Sequence, residues 1–520
     1  MNRSIFALLM ALMMFCMSLP AQAQVSVLTW HNDNLRTGAN TNETILTPAN
    51  VSSNIFKRLF IRSVDGYVYA QPLVAAGVNL PKRGVKNVVY VATEHDSVYA
   101  FDADTGHSYW HAKLLPKRGK TVSSATDAGC DDLVPEIGIT STPVIDSVTS
   151  TIYVVEKSKT NTVFLQRLHA LDLATGTEKF GGPVTLTASV PGTGDGNVNG
   201  IVSYDPLKQH QRSALLLANG VVYIASASHC DITPYHGWIL GYNATNLAQV
   251  SVFNTTPNGG DGGVWMSGAG PAADASGNIY VTTGNGRFDA NTGGSDYGDS
   301  TIRFTANGGG LSVADYFTPF NQQNLDDIDG DLGAGGILLL PDQPGAHTHL
   351  AVQGGKEGTL YLMDRDNLGH FNSNNDSQIV ESLPGVLSAL FCTPAYFNGN
   401  IYCNATGDGL TVFSLTNGLL SSNFYSRTVG LMGFPGATPS ISANATSNAI
   451  VWAVQTDGFM TKNGQAILHA YDALDLTHEL YNSSTNRQPP GAAVKFAVPT
   501  IANGHVYVGA VHHLAVYGLR

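Results

Sequence analysis

The chain is poor in charge. Only 13% of its 520 residues are Asp, Glu, Lys or Arg, and never more than two basic residues are adjacent. With a net charge of −12 at pH 7 it lacks the electrostatic footprint that draws a protein to nucleic acid or to an anionic membrane. Beyond its first two dozen residues it has no apolar run long enough to cross a bilayer. It has no C-x-x-C-H, which excludes a covalently attached haem. Cysteine is scarce at five residues, and no two are adjacent.

The N-terminus carries the one long apolar run. Arg3 supplies a positive start, residues 5–19 are apolar, and Ala21-Gln22-Ala23 is a small-x-small cleavage site. This order predicts a secretory signal peptide over residues 1–23, a mature chain of residues 24–520 and a periplasmic or secreted location. Cys16 lacks the small residues of a lipoprotein site before it, so no lipid anchor is expected. Cys130, Cys230, Cys392 and Cys403 remain, enough for two disulfides in an oxidising compartment. Cys392 and Cys403 flank a hairpin-like segment and are expected to pair, leaving Cys130 with Cys230.

What the chain does have is glycine, tyrosine and repetition. It holds 56 Gly and 21 Tyr, which suits short buried strands joined by tight turns. A unit recurs: a Thr-Pro-apolar strand, a turn, a strand centred on Tyr-Val, then an apolar strand ending in Asp-x-x-Thr-Gly. The first copy has Gln71-Pro72-Leu73-Val74, Val89-Tyr90-Val91 and Phe101-Asp102 closing at Thr105-Gly106. The second has Thr142-Pro143-Val144-Ile145, Ile152-Tyr153-Val154 and Leu171-Asp172 closing at Thr175-Gly176. Later copies centre on Tyr223, Tyr280, Ala351, Tyr402, Trp452 and Tyr507. The period, about 60 residues, is too long for one coil of a parallel β-helix and suits a sheet of three or four strands. One such sheet cannot bury both its faces, whereas sheets stacked radially in a closed ring can. The expected fold is therefore all-β, an eight-bladed β-propeller forming a single domain over residues 24–520. Residues 56–61 are expected to close the ring against residues 514–517 of the last blade.

The Asp-x-x-Thr-Gly and Trp endings of the repeats resemble those of pyrroloquinoline quinone (PQQ) propellers. The resemblance extends to Trp30, Leu35-Arg36-Thr37 and residues 46–51, which are similar to the N-terminal segment of the quinoprotein alcohol dehydrogenases, and to residues 90–106, similar to their first blade. It covers essentially the whole mature chain. It implies PQQ and Ca²⁺ as cofactors, an alcohol or sugar as small-molecule substrate, and, without an attached haem, a separate electron acceptor. Carried over residue by residue, it gives Thr140 in Gly138-Ile139-Thr140-Ser141 and Lys356 in Gly355-Lys356-Glu357-Gly358 as quinone contacts. Trp265 in Val264-Trp265-Met266-Ser267 becomes the stacking platform. Asn285, ending Thr282-Thr283-Gly284-Asn285, becomes a calcium ligand, and Asp299 in Gly298-Asp299-Ser300 the catalytic base and a further ligand.

The chain also departs from the pattern. The vicinal Cys-Cys pair over the quinone is absent, and no Glu stands before residues 237–240, where Asp231 is the substitute ligand on offer. Each assignment has a plainer counterpart: Trp265 as a core aromatic, Lys356 and Arg365 as solvated or ion-paired groups, and Asn285 and Asp299 as turn residues. The acidic run of residues 326–331 fails the EF-hand pattern, with Leu332 and Leu338 where Gly and Glu are needed. His229 and His236, with His31 or His95, are too scattered for a metal pattern to be read. Two functions from different classes follow. One is a quinoprotein oxidoreductase; the other is a cofactor-free scaffold binding a protein partner, like the outer-membrane assembly propellers that share the repeat.

Overall fold

A computed structural model describes residues 24–520 apart from positions 53 and 309; the expected signal peptide lies outside the described residues. Eight antiparallel sheets follow one another along the chain, beside a small two-stranded hairpin of Ser189–Pro191 with Ile201–Ser203. The first strands of blades 1 to 8 are Leu73–Leu80, Val144–Asp146, Leu216–Ala218, Ala272–Ala273, Leu338–Leu339, Ala395–Phe397, Ser440–Asn444 and Thr500–Ala502. All eight repeat centres lie in the strand that follows, such as Gly84–Thr93 for Tyr90 and Ser447–Gln455 for Trp452. These second strands are buried on both faces, hence their nearly continuous apolar sequence.

The repeat has a mechanical reason. Asp102 and Asp172 each accept backbone N–H bonds from residues two and three further on, folding Asp-x-x-Thr-Gly into a side-chain-capped turn. Gly106 and Gly176 then take φ of +69°, which glycine adopts without strain. The carbonyl just after that Asp points at the preceding blade, where the anchor tyrosine meets it. Tyr90 Oη donates to Leu173 O at 2.9 Å and Tyr153 Oη to Ala244 O at 2.7 Å. Tyr402 Oη reaches Ala473 O at 2.9 Å, and Tyr507 Oη reaches back to Ala103 O at 3.2 Å. The last of these joins blade 8 to blade 1. The phenol is thus both core filler and inter-blade clasp.

Ring closure uses the expected strand. Phe56–Tyr67 pairs antiparallel with His505–Leu519, with Phe60 opposite Val516 and Ile61 opposite Ala515. The segment before it closes the channel at one end. Val27 bridges Val74 in blade 1 and Leu28 O accepts from Ile145 N in blade 2. Asn34 bonds Leu217 O of blade 3 and, through its carbonyl, Ala273 N of blade 4. Leu35, Thr37 and Gly38 carbonyls take Leu339, Tyr396 and Ile441 N–H groups, and Asn40 Nδ2 reaches Ile501 O. One segment thus visits the first strand of all eight blades in turn and lies within the ring they form. Arg36, fully buried, pins it through Thr29 Oγ1, Trp30 O and Pro271 O.

One disulfide is present, Cys130–Cys230, as expected. The expected Cys392–Cys403 bond is corrected: both are free, buried thiols. Blade 6 pairs Ala395 with Tyr402, so Pro394, not Cys392, falls opposite Cys403. Cys392 lies outside the ladder, before the strand Ala395–Phe397 begins, so the hairpin does not set it as the cross-strand partner of Cys403.

Candidate functional site

The connections between successive blades converge on a cavity of about 260 Å³. Its lining comes from right round the ring: Asp132 and Leu133, His210 and Arg212, Cys230 and Asp231, Trp265 and Ser267, Asp331 and Ala334, Lys356, Phe391, Phe434, Lys495 and Phe496. A cavity lined from all sides lies on the axis, and the N-terminal segment blocks the channel across the first strands. A blind, mostly apolar pocket with a few convergent polar groups is the usual form of a small-molecule site.

Trp265 forms one wall. Its indole Nε1 donates to Ser228 O at 3.1 Å, and Tyr235 meets it edge-on at 5.9 Å. The ring fits because Gly263 and Gly284 lack side chains: a Cβ on either would lie 2.6 Å or 2.8 Å from it. The next residues, Met266 and Ser267, take left-handed φ of 48° and 53°. Such strain in residues other than glycine persists only when neighbours enforce it. Here the Ser267 hydroxyl bonds Ala334 O across the cavity edge.

Three carboxylates and three cations face the space, unevenly paired. Asp331 Oδ2 lies 2.7 Å from Lys356 Nζ and Oδ1 accepts the Asn285 N–H at 2.7 Å. Burial raises the Asp331 carboxyl more than Lys356 lowers it, and Asp331 with Asp329 keeps Lys356 charged despite its own burial. Opposite, Arg212 is 6% exposed and, among the described residues, has neither an ion pair nor a hydrogen bond. It rests between Phe496, 4.2 Å from the ring centre, and Tyr69 at 5.7 Å. Burial depresses its pKa, and pushes that of Lys495, likewise without an ion pair, down to about 8. Two cations without an ion pair therefore stand beside the aromatic wall, with Asp132 the carboxylate whose charge reaches both.

The residues expected from sequence divide. Trp265, Lys356 and Asp231 line the cavity. Asn285 stands behind Asp331, its Nδ2 on Asp329 Oδ1 at 2.9 Å and its own Oδ1 buried without a partner. Asp299 is fully buried; it accepts from Leu332 N at 3.0 Å, and burial with the charge of Asp331 raises its pKa well above normal. Thr140 bonds a buried carboxylate instead of facing the space: Glu94 Oε2 takes Thr140 Oγ1 at 3.1 Å and Gly138 N at 2.7 Å. Of Asp231, Asn285 and Asp299, Asp231 lines the cavity while Asp299 accepts from Leu332 N and Asn285 donates to Asp329. Of the scattered histidines, His31 and His236 bond backbone carbonyls and His95 bonds Glu136. Asp331, Arg212 and Lys495 carried no sequence signal beyond, for Asp331, its place in the acidic run.

No protein-family model matches the chain, and no curated protein matches its sequence. Solved structures do match its shape. A quinohemoprotein alcohol dehydrogenase from Comamonas testosteroni superposes with a TM-score of 0.63 at 15% identity, over 95% of this chain and 80% of that one. The fold is that of the quinoprotein dehydrogenases. Quinohemoprotein alcohol dehydrogenase ADHIIG from Pseudomonas putida HK5 gives 0.60 at 14% identity, over 95% and 80%. A europium-containing methanol dehydrogenase gives 0.61 at 13% identity, over 95% and 98%. At such identities the likeness establishes the quinoprotein-type propeller and not its activity. Among the described residues no helix is long and apolar enough to cross a membrane.

Proposed function

We propose that the axial cavity binds a flat, polycarboxylate quinone of the PQQ type and that the protein is an exported quinoprotein oxidoreductase acting on an alcohol or sugar. The observation that carries this reading is the pair of cations without partners, Arg212 and Lys495, in a cavity walled by Trp265. Leaving a guanidinium buried and unpaired is costly in a protein that binds nothing there. The donor set suits the quinone: carboxylates to Arg212 and Lys495, ring face to Trp265. Cys230 of the Cys130–Cys230 bond lines the cavity. That bond also supports export, since structural disulfides belong to oxidising compartments. Calcium on Asp231, Asn285 and Asp299 is a poorer fit, because Asp299 is buried and its Oδ1 is capped by Leu332 N–H, and no step is assigned to it.

When bound, the quinone supplies the two-electron acceptor for alcohol oxidation. The chain's own contribution is a proton acceptor. Asp331 faces the cavity where Asp299 does not, and Lys356 and the Asn285 N–H hold its carboxylate in place. We therefore assign removal of the substrate hydroxyl proton to Asp331.

The test is a titration of the mature protein with PQQ, followed by tryptophan fluorescence and melting temperature. Saturable quenching with a raised melting point is expected, with quenching lost in Trp265→Ala. A flat titration to high micromolar PQQ overturns the reading and leaves the cofactor-free protein-binding scaffold.

A further inference from the structure

We infer that Asp132, His210 and His229 form a binding site for one divalent transition metal of the zinc type, at the cavity wall. The three ligand atoms lie within 4.8 Å of one another. Asp132 Oδ2 is 3.1 Å from His229 Nδ1 and 3.4 Å from His210 Nδ1. In a tetrahedral zinc site, with bonds near 2.0–2.1 Å, neighbouring ligand atoms are about 3.3 Å apart. The arrangement therefore already has two edges of that tetrahedron at the right length.

Two further observations point to a ligand. His210 is 3% exposed and neither of its ring nitrogens has a hydrogen-bond partner, a condition buried polar groups rarely tolerate. It lies face to face with His229, ring centres 4.4 Å apart and planes 17° from parallel, so the rings shelter one another without satisfying Nδ1 or Nε2 of His210. The scaffold is also built to hold the three together. His210 pairs with Ala227 in the strand that ends one residue before His229. The Cys130–Cys230 disulfide ties the loop bearing Asp132 to the residue after His229. Lys157 Nζ lies 2.9 Å from His229 Nε2 and anchors to Leu207 O and Gln209 O. Two imidazoles and one carboxylate suit zinc, cobalt or copper rather than calcium. Asp132 and His210 also line the cavity, so a fourth position opens toward whatever occupies it. The inference needs no quinone and is independent of the reading above.

The experiment uses the mature protein, stripped with a chelator and titrated with Co²⁺ alone, without PQQ. One equivalent is expected, giving the intense visible bands of four-coordinate cobalt, and prior Zn²⁺ should abolish them. His210→Ala and Asp132→Asn, checked for folding by circular dichroism, should each lower Co²⁺ affinity by more than about a hundredfold, the upper end of what losing an outer partner costs. Wild-type protein without stoichiometric four-coordinate bands overturns the site, and so does an unchanged titration in either folded variant, which would mean adventitious binding at other histidines. Should His210→Ala fail to fold, the isosteric Asp132→Asn and the wild-type spectrum decide alone.

Discussion

Arg212→Met separates a ligand-binding cation from a structural one, because the two roles give opposite signs. In the protein alone, the guanidinium has given up its water for two aromatic faces, with no direct ion pair and no hydrogen bond among the described residues and only the more distant charges of Asp132 and Glu94. The cation–π contacts return about 0.5–2 kcal/mol. Exchanging a buried charge for an apolar side chain of similar volume is often neutral or stabilising by about 1–4 kcal/mol. The free variant should therefore be as stable as wild type or more stable by on the order of 1–2 kcal/mol, read as a higher urea midpoint at unchanged m-value. Binding should move the other way. Removing one partner of a desolvated charge pair costs roughly 2–5 kcal/mol, which is about 30- to 4,000-fold in Kd. Chemical denaturation and PQQ titration on one preparation give both numbers. A destabilised variant that binds PQQ as wild type does would refute the reasoning and make Arg212 a structural cation clamped by Phe496 and Tyr69.

Other outcomes follow from single contacts. Gly284→Ala would place a Cβ 2.2 Å from Asp331 Oδ1 and 2.8 Å from the Trp265 ring; PQQ affinity should drop by about tenfold or more, the loss expected when positioning groups shift by an ångström or so, and isothermal calorimetry checks it. Mass mapping without reductant should find Cys130 linked to Cys230 and two thiols that react only after unfolding, since Cys392 and Cys403 are buried. Cys130→Ser should lose about 4–5 kcal/mol by the chain-entropy estimate for a loop of 100 residues, seen as a lower urea midpoint. Glu94 is raised by burial to about 8 from 4.5. Between those values the folded state binds the extra proton, so this group's contribution to stability falls as pH rises. Glu94→Gln keeps the acceptor for Gly138 N–H and should gain on wild type from pH 4.5 to 8, by on the order of a few kcal/mol, then level off. Parallel stability curves for the two proteins across that range would contradict the assignment.

The fold was readable because one physical device recurs along the chain, clasping blade 1 to 2, 2 to 3, 6 to 7 and 8 to 1. A tyrosine buried at the blade centre and a capped Asp turn in the next blade serve each other, and selection for that clasp repeats along the chain as a Tyr-Val strand followed by Asp-x-x-Thr-Gly. Even the closing strand was visible, because ring closure demands a partner for the last blade. The cavity has no such periodicity. It collects a few residues from most connections and from turns within blades 3 and 5, at positions such as 132, 212, 331 and 495, and they become neighbours only once the ring is shut. Asp299 and Asp331 show the difference. Both belong to segments that a sequence reader would favour, one after a Gly-rich turn and one in an acidic run. Which faces the axis depends on whether a backbone N–H caps the carboxylate, as Leu332 caps Asp299, or a lysine from the next blade meets it, as Lys356 meets Asp331. The same holds for the thiols: the cysteines flanking the blade 6 hairpin look like partners, yet Cys392 lies outside the ladder and both stay free, while Cys130 and Cys230, 100 residues apart, are joined beside the cavity. In a propeller, local sequence dictates the blade, and closure of the ring dictates the site. Function here is therefore best tested at residues such as Arg212 and His210, whose unpartnered polar atoms the closed ring leaves facing inward.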